Sequence, residues 1–260
     1  MSDKLLIEIK DHLMIITLNR AEIGNALDTE CMQALSVAYT ELSDNEQLRC
    51  GILCATGPNF CAGLDLPDVM QTFAQKGVAA LVPEGQCDPF RNFGRACKKP
   101  VIVAVKGVCY TAALELVLAA DICIADTTTT FAQFEVTRGL FPLGGATFRL
   151  PQAIGWHNAM EMMLVGKTIS AVQAKEWGLV QQVVAPNQLY ETAIEMATKI
   201  ANNSPLGVMA TLENARKASE MPNDIMQDVV QKLASIVKTQ DLQEGILSIK
   251  ERRAASFIGK

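Results

Sequence analysis

The chain has 260 residues, of which 49% are hydrophobic and 20% charged, and a net charge of −5. That is enough for one large domain or two small ones, and enough apolar material to bury a sizeable core. The acidic balance gives no support to nucleic-acid or membrane-surface binding, so a polyanionic ligand would need a local cluster of Lys and Arg.

Leu5–Ile9 and Met14–Leu18 read as a hairpin around Asp11-His12. Thr29–Leu42 repeats apolar residues at helical spacing, with Asp28 as its N-cap. Cys50–Ala55 is a short buried strand running into the turn signal Thr56-Gly57-Pro58-Asn59. Leu66–Gln75 reads as a helix and Lys76–Pro89 as a mobile surface loop. Phe90–Cys97 is expected to be a short helix. Val101–Val105 and Ile122–Ala125 are strands flanking a helix at Ala112–Ala120, and Leu140–Gly145 is a Gly/Pro turn. From Asn158 onward the pattern is mainly helical, near Ala159–Leu164, Ala171–Trp177, Gln188–Asn202, Leu206–Ala218, Ile225–Val237 and Leu242–Ala254. Alternating strands and helices followed by a helical tail suggest stacked β-β-α units in residues 1–186 and a helical region in 187–260.

All eight cysteines (Cys31, Cys50, Cys54, Cys61, Cys87, Cys97, Cys109 and Cys123) lie in the first half. There is no C-x-x-C pair, and no secretory pattern follows Met1, which is expected to be the native start. They are expected to be reduced thiols in a cytoplasmic protein. His12 and His157 are the only histidines, which disfavours a zinc site of His and Cys. The apolar stretch Val101–Ala125 is interrupted by Lys106, Glu115 and Asp121, so no membrane helix is expected.

Three segments carry chemistry. Asn59-Phe60-Cys61-Ala62-Gly63-Leu64-Asp65 follows a strand and opens a helix, a junction that leaves backbone N–H groups unpaired. It could equally be a plain turn, with Gly63 at positive φ and Asp65 as a cap. Lys106-Gly107 to Leu116 is a second such junction, with Glu115 in an apolar run. A buried carboxylate either pairs, titrates upward or works. Phe131 to Thr147 holds Glu135 beside a Gly/Pro turn, and an ion pair with Arg138 is the plain alternative.

Together with Leu18-Asn19-Arg20, Asn25-Ala26-Leu27, Lys99-Pro100 to Val105, Ala119-Ala120-Asp121-Ile122 and Gly166-Lys167 to Val180, these segments resemble the enoyl-CoA hydratase/isomerase (crotonase) superfamily over nearly the whole chain. The resemblance implies an α/β fold: a crotonase-like spiral of β-β-α units with a C-terminal helical trimerisation region. It implies a coenzyme A thioester as substrate, with no separate cofactor and no metal. An oxyanion hole at the backbone N–H groups of Ala62 and Ala112 follows by position. Glu115 and Glu135 fall on the two catalytic glutamate positions. Arg20, Ala62, Gly63, Leu64, Asp65 and Ala112 fall on substrate-binding positions. Lys250, Arg252, Arg253 and Lys260 are further candidates for the phosphates, or else a solvated helix face.

The sequence departs from the family at several points. Thr111-Ala112-Ala113 replaces Gly-Gly-Gly, Phe134 a proline, Leu143 a glycine, and Ala21 the proline after Arg20. The expectation is an enoyl-CoA hydratase of the β-oxidation type, a homotrimer or dimer of trimers. Glu115 would activate water and Glu135 would deliver a proton, the roles exchanging in reverse. The alternatives are a double-bond isomerase or another crotonase-type enzyme, and a non-catalytic acyl-CoA-binding protein.

Overall fold

The computed structural model describes residues 3–219, 230, 231, 233–256 and 258. β1 (Leu5–Lys10) and β2 (Leu13–Leu18) form the expected antiparallel hairpin, turning at Asp11 with φ of 52°. Parallel to β2 follow β3 (Cys50–Ala55), β4 (Val101–Val105), β6 (Ile122–Asp126) and β9 (Gln182–Val184), which completes a six-stranded sheet. A second sheet joins β5 (Val108–Tyr110), β7 (Thr130–Ala132) and β8 (Thr168–Ser170). The chain visits the large sheet, then the small one, then a helix. β4, β5 and α3 (Ala112–Ala119) make one such unit; β6, β7 and α4 (Ala146–Ile154) make the next.

Strand side chains alternate between faces, and parallel sheets bury both. Met14, Ile16 and Leu18 point into the main core with α1 (Thr29–Asp44), whose Asp28 cap accepts the Cys31 N–H at 2.8 Å. Leu13 and Ile15 point the other way, toward α7 (Leu189–Ala201). Leu189, Ala193, Ala197 and Ala201 recur every fourth residue, and this stripe seals the outer face of the sheet. α7 thus lies past the expected boundary at residue 187 and is part of the sheet's packing. α2 (Leu66–Lys76), α5 (Trp156–Met160) and α6 (Ala171–Glu176) complete the front of the chain. α8 (Pro205–Ser219) follows with most of its surface exposed.

Several elements differ from the sequence reading. Phe90–Cys97 is not helical. The buried Asp88 carboxylate accepts the N–H groups of Phe90, Asn92 and Phe93 at 2.8–2.9 Å, which offers the backbone an alternative to a helix. Arg91 and Gly94 then adopt positive φ. The Lys76–Pro89 segment is more than a surface loop: it contains a short 3₁₀ turn, and Leu81, Cys87 and Asp88 are buried. Helix α4 and the three-residue strands β5, β7, β8 and β9 were not legible. The helix expected at Ile225–Val237 lies largely outside the described residues. All eight cysteines are free thiols. Burial pushes Cys31, Cys50, Cys61 and Cys97 up to about 12, which keeps them protonated and unreactive.

The last helix, α9 (Gln240–Glu251), docks through two glycines. A Cβ on Gly245 would collide with the Arg138 carbonyl, and one on Gly139 would lie 2.6 Å from the Asp241 carbonyl oxygen. Gly245→Val is therefore expected to cost about 1–3 kcal/mol, the usual cost of overpacking. A shift in the urea midpoint reads this, and an unchanged midpoint would contradict such a close approach.

Candidate active site

Beyond β3 the chain turns through Thr56 to Asn59 and is held by Asn25, a buried residue with φ of 55°. The Asn25 amide donates to the carbonyls of Thr56 and Asn59 at 3.0 and 2.9 Å. Asn59 in turn accepts the Val108 N–H with its side-chain oxygen. Cys61 then pairs in parallel with Cys109: Cys61 N–H donates to Val108 O at 2.9 Å, and Tyr110 N–H donates to Cys61 O at 3.1 Å. This pairing brings the residues after Cys61 alongside the start of α3.

Accounting for the amides along this seam identifies the free donors. Ala62 N–H donates to Gly24 O at 2.9 Å, so it is already spent and the expected donor role at Ala62 is corrected. Its side chain still borders the cavity. Leu64 N–H has no acceptor among the described residues. The carbonyl of its own peptide, Gly63 O, accepts Leu27 N–H at 2.8 Å. A trans peptide points its N–H opposite to its C=O, so the Leu64 N–H faces away from Leu27. Gly63 makes this turn at φ of 108°, and a Cβ there would strike the Thr111 hydroxyl.

The second free donor is Ala112 N–H, at the first position of α3, where no intrahelical acceptor exists. Thr111 precedes it with φ of 51° and ψ of −119°. That backbone costs a β-branched residue about 1–3 kcal/mol. It is held by Thr111 N–H donating to Ala132 O and Thr111 O accepting Glu115 N–H.

Two carboxyls face the same space. Glu115 is 3% exposed and accepts the Ala146 N–H at 3.0 Å. A Cβ on Gly144 would come within 2.7 Å of Glu115 Oε2, so only glycine leaves room for the carboxylate. Burial pushes Glu115 up to about 7, against the backbone N–H groups of Ala146, Gly144 and Gly145 and the charge of Arg149. Arg149 steadies that turn: it donates to Gly144 O and also to Phe90 O and Arg91 O across the Asp88 loop.

Glu135 begins a 3₁₀ turn, Glu135–Arg138. Its pKa is driven well above the usual carboxylate range by burial and then by the charge of Glu115. The fully buried Gln133 presents its amide to it. With the nitrogen turned toward Glu135, it donates to the two oxygens at 2.7 and 2.9 Å; with the oxygen turned there, it accepts from the protonated acid. The Glu135–Arg138 ion pair considered from sequence is not formed: no carboxylate among the described residues lies within salt-bridge distance of Arg138.

Ala62, Leu64, Thr111, Ala112, Glu115 and Glu135 line one cavity of about 180 Å³. Leu66, Met70, Phe73, Leu140, Phe141, Leu143 and Ile249 form its apolar walls. The structure thus brings Glu115, Glu135, Ala112 and Leu64 together. It does not bring Arg20 to a ligand surface. The Arg20 guanidinium is 14% exposed and occupied by Asp28 at 3.0 Å, Asp65 at 3.4 Å and Ala26 O. Arg20 and Asp65 therefore hold the loop. Arg253 is bound by Glu244 and Glu251, Lys250 and Arg252 are exposed, and Lys260 is outside the described residues. No group of three potential metal ligands occurs among the described residues. No helix among them is long and apolar enough to cross a membrane.

A family profile described as enoyl-CoA hydratase/isomerase matches residues 8–260. Enoyl-CoA hydratase EchA19 of Mycobacterium tuberculosis is 34% identical over 257 residues, covering 97% of this chain and 95% of that protein. A carnitinyl-CoA dehydratase of Salmonella typhi is 32% identical, with full coverage of both chains. Among solved structures, a probable enoyl-CoA hydratase/isomerase from Mycobacterium abscessus superposes with a TM-score of 0.79 at 40% identity, covering 99% of each chain.

The upward shift of Glu115, from 4.5 to about 7, has a measurable consequence. Below pH 4.5 the acid is protonated in both folded and unfolded chains. Between 4.5 and 7 the unfolded chain ionises first, so the wild type loses stability as pH rises, by roughly 3 kcal/mol in total. Glu115→Gln has no such loss. Urea unfolding should show its stability relative to wild type rising by about that amount between pH 4.5 and 8. A difference independent of pH would contradict a buried, upshifted carboxyl.

Proposed function

The chain belongs to the enoyl-CoA hydratase/isomerase family, and from that premise we propose that it adds water across the double bond of a 2-enoyl-CoA thioester. One observation carries the reading: two buried carboxyls that hold a proton unequally share a cavity with two unpaired backbone N–H groups.

The thioester oxygen accepts from Leu64 and Ala112. Glu115, whose rise is held back by three backbone donors and Arg149, takes a proton from water as the water oxygen attacks Cβ. The electron pair of the double bond moves toward the thioester oxygen, where the two amides stabilise the enolate. One such donor is worth about 10²–10³ in rate. Glu135, kept protonated by burial and by the Glu115 charge, gives its proton to Cα. Water thus supplies OH to Cβ and one proton to Glu115, Glu135 supplies the proton at Cα, and a proton returning from Glu115 to Glu135 resets the pair.

An isomerase needs one proton shuttle, and a passive binder needs neither carboxyl. Keeping two buried acids upshifted costs stability that only the two-carboxyl reaction uses. A carnitinyl group, named for one relative, carries a quaternary ammonium, and Arg138 in the cavity wall opposes a cation there. The exposed apolar side chains Leu206 and Leu247 fit the proposed assembly into a trimer or dimer of trimers.

Purified protein should remove the ultraviolet absorbance of a 2-enoyl-CoA and place oxygen from labelled water at Cβ. Glu115→Gln and Glu135→Gln should each slow this by about 10²–10⁴. Migration of a 3-enoyl double bond with no oxygen incorporated would establish an isomerase instead. Binding without either reaction would establish a passive binder.

A further inference from the structure

Arg138 is the single cationic side chain among the described residues lining the cavity. It is half-buried and has no hydrogen bond or ion pair among the described residues. Other part-buried arginines are tied down: Arg20 by Asp28 and Asp65, Arg149 by three carbonyls, and Arg216 by Asp121 at 2.9 Å. A half-buried cation beside Leu140, Phe141 and Ile249 loses part of its hydration, and an arriving anion would supply the hydrogen bonds that no described residue makes to it.

The backbone of Arg138 is pinned. Leu140 N–H donates to Glu135 O, Thr137 N–H donates to Phe134 O, and Gly245 of α9 packs on the Arg138 carbonyl. In a 3₁₀ turn, residues i and i+3 share a face and lie about 6 Å apart along the axis. Arg138 therefore borders the same space as Glu135, one turn farther on. Glu135 acts at Cα of the thioester in the reading above, and a few bonds of acyl chain span that distance. The coenzyme phosphates are a poorer match, because the whole pantetheine arm separates them from Cα.

We propose that Arg138 selects short 2-enoyl-CoA thioesters whose acyl chain ends in a carboxylate a few bonds beyond the double bond, that is, mono-thioesters of short dicarboxylic acids. This rests on the hydratase reading for the placement of Cα but is tested without turnover. Titration calorimetry would compare glutaryl-CoA, pentanoyl-CoA and free coenzyme A on wild type, Arg138→Leu and Arg138→Lys.

Wild type should bind glutaryl-CoA at least about 10-fold more tightly than pentanoyl-CoA. Arg138→Leu should weaken glutaryl-CoA by about 10²-fold, in keeping with truncation of a desolvated charge pair. It should leave pentanoyl-CoA and free coenzyme A within about 3-fold of wild type. Arg138→Lys should retain part of the preference as a point charge. Equal wild-type affinity for the two thioesters would overturn the proposal whether or not the leucine variant folds. Equal weakening of all three ligands would also overturn it, assigning Arg138 to the coenzyme phosphates. A carboxylate preference in a protein that incorporates no oxygen would instead overturn the hydratase reading and leave this one standing.

Discussion

Main-chain pairing between Cys61 and Cys109 is the contact on which the site depends. It lays the segment leaving β3 beside the segment entering α3, so that two amides from distant parts of the sequence open on one cavity. Neither amide is free by accident. Leu64 N–H is freed because its own peptide carbonyl is committed to Leu27, and Ala112 N–H because it starts a helix. Such donors are fixed by the fold before a ligand arrives and need no reorganisation when charge develops.

The surrounding residues carry the costs of that arrangement. Thr111 occupies a backbone region that β-branched residues avoid, Gly63 and Gly144 have no room for a Cβ, and two carboxyls share a poorly hydrated space. Their environments differ in kind. Glu115 is surrounded by the N–H groups of the Gly144–Ala146 turn and by Arg149, whereas Glu135 has the neutral Gln133 amide. Unequal surroundings separate the proton affinities of two identical functional groups, and that separation is what acid–base chemistry across one double bond requires. Arg149 extends this control outward, since it ties the turn that holds Glu115 to the loop organised by Asp88.

Much of this was legible in the sequence where the signal is local. The apolar runs Cys50–Ala55 and Val101–Val105, bounded by turn residues, are the strands β3 and β4 with those same ends. Glu115 and Glu135 stood out as carboxylates in apolar runs, and both reach the cavity. Three-residue strands such as β5 and β7 are too short to show a period. Phe90–Cys97 looked helical because an Asp just ahead of such a run reads equally as a helix cap, whereas Asp88 folds the following N–H groups into a turn. Arg20 looked available because its partners Asp28 and Asp65 are distant in sequence. The choice of Ala62 over Leu64 failed on the direction of one peptide plane. Positive φ at Gly63 was expected, but the sequence does not show which neighbouring amide it turns outward.

The central claim is that the Leu64 and Ala112 amides receive the thioester oxygen. The infrared stretch of a carbonyl-labelled butyryl-CoA bound to the protein tests it directly, because hydrogen bonds to a carbonyl lower its frequency. The account predicts a bound frequency clearly below that of the same thioester in water. A bound frequency at or above the aqueous value would mean that the oxygen lies in an apolar wall, and would contradict the assignment.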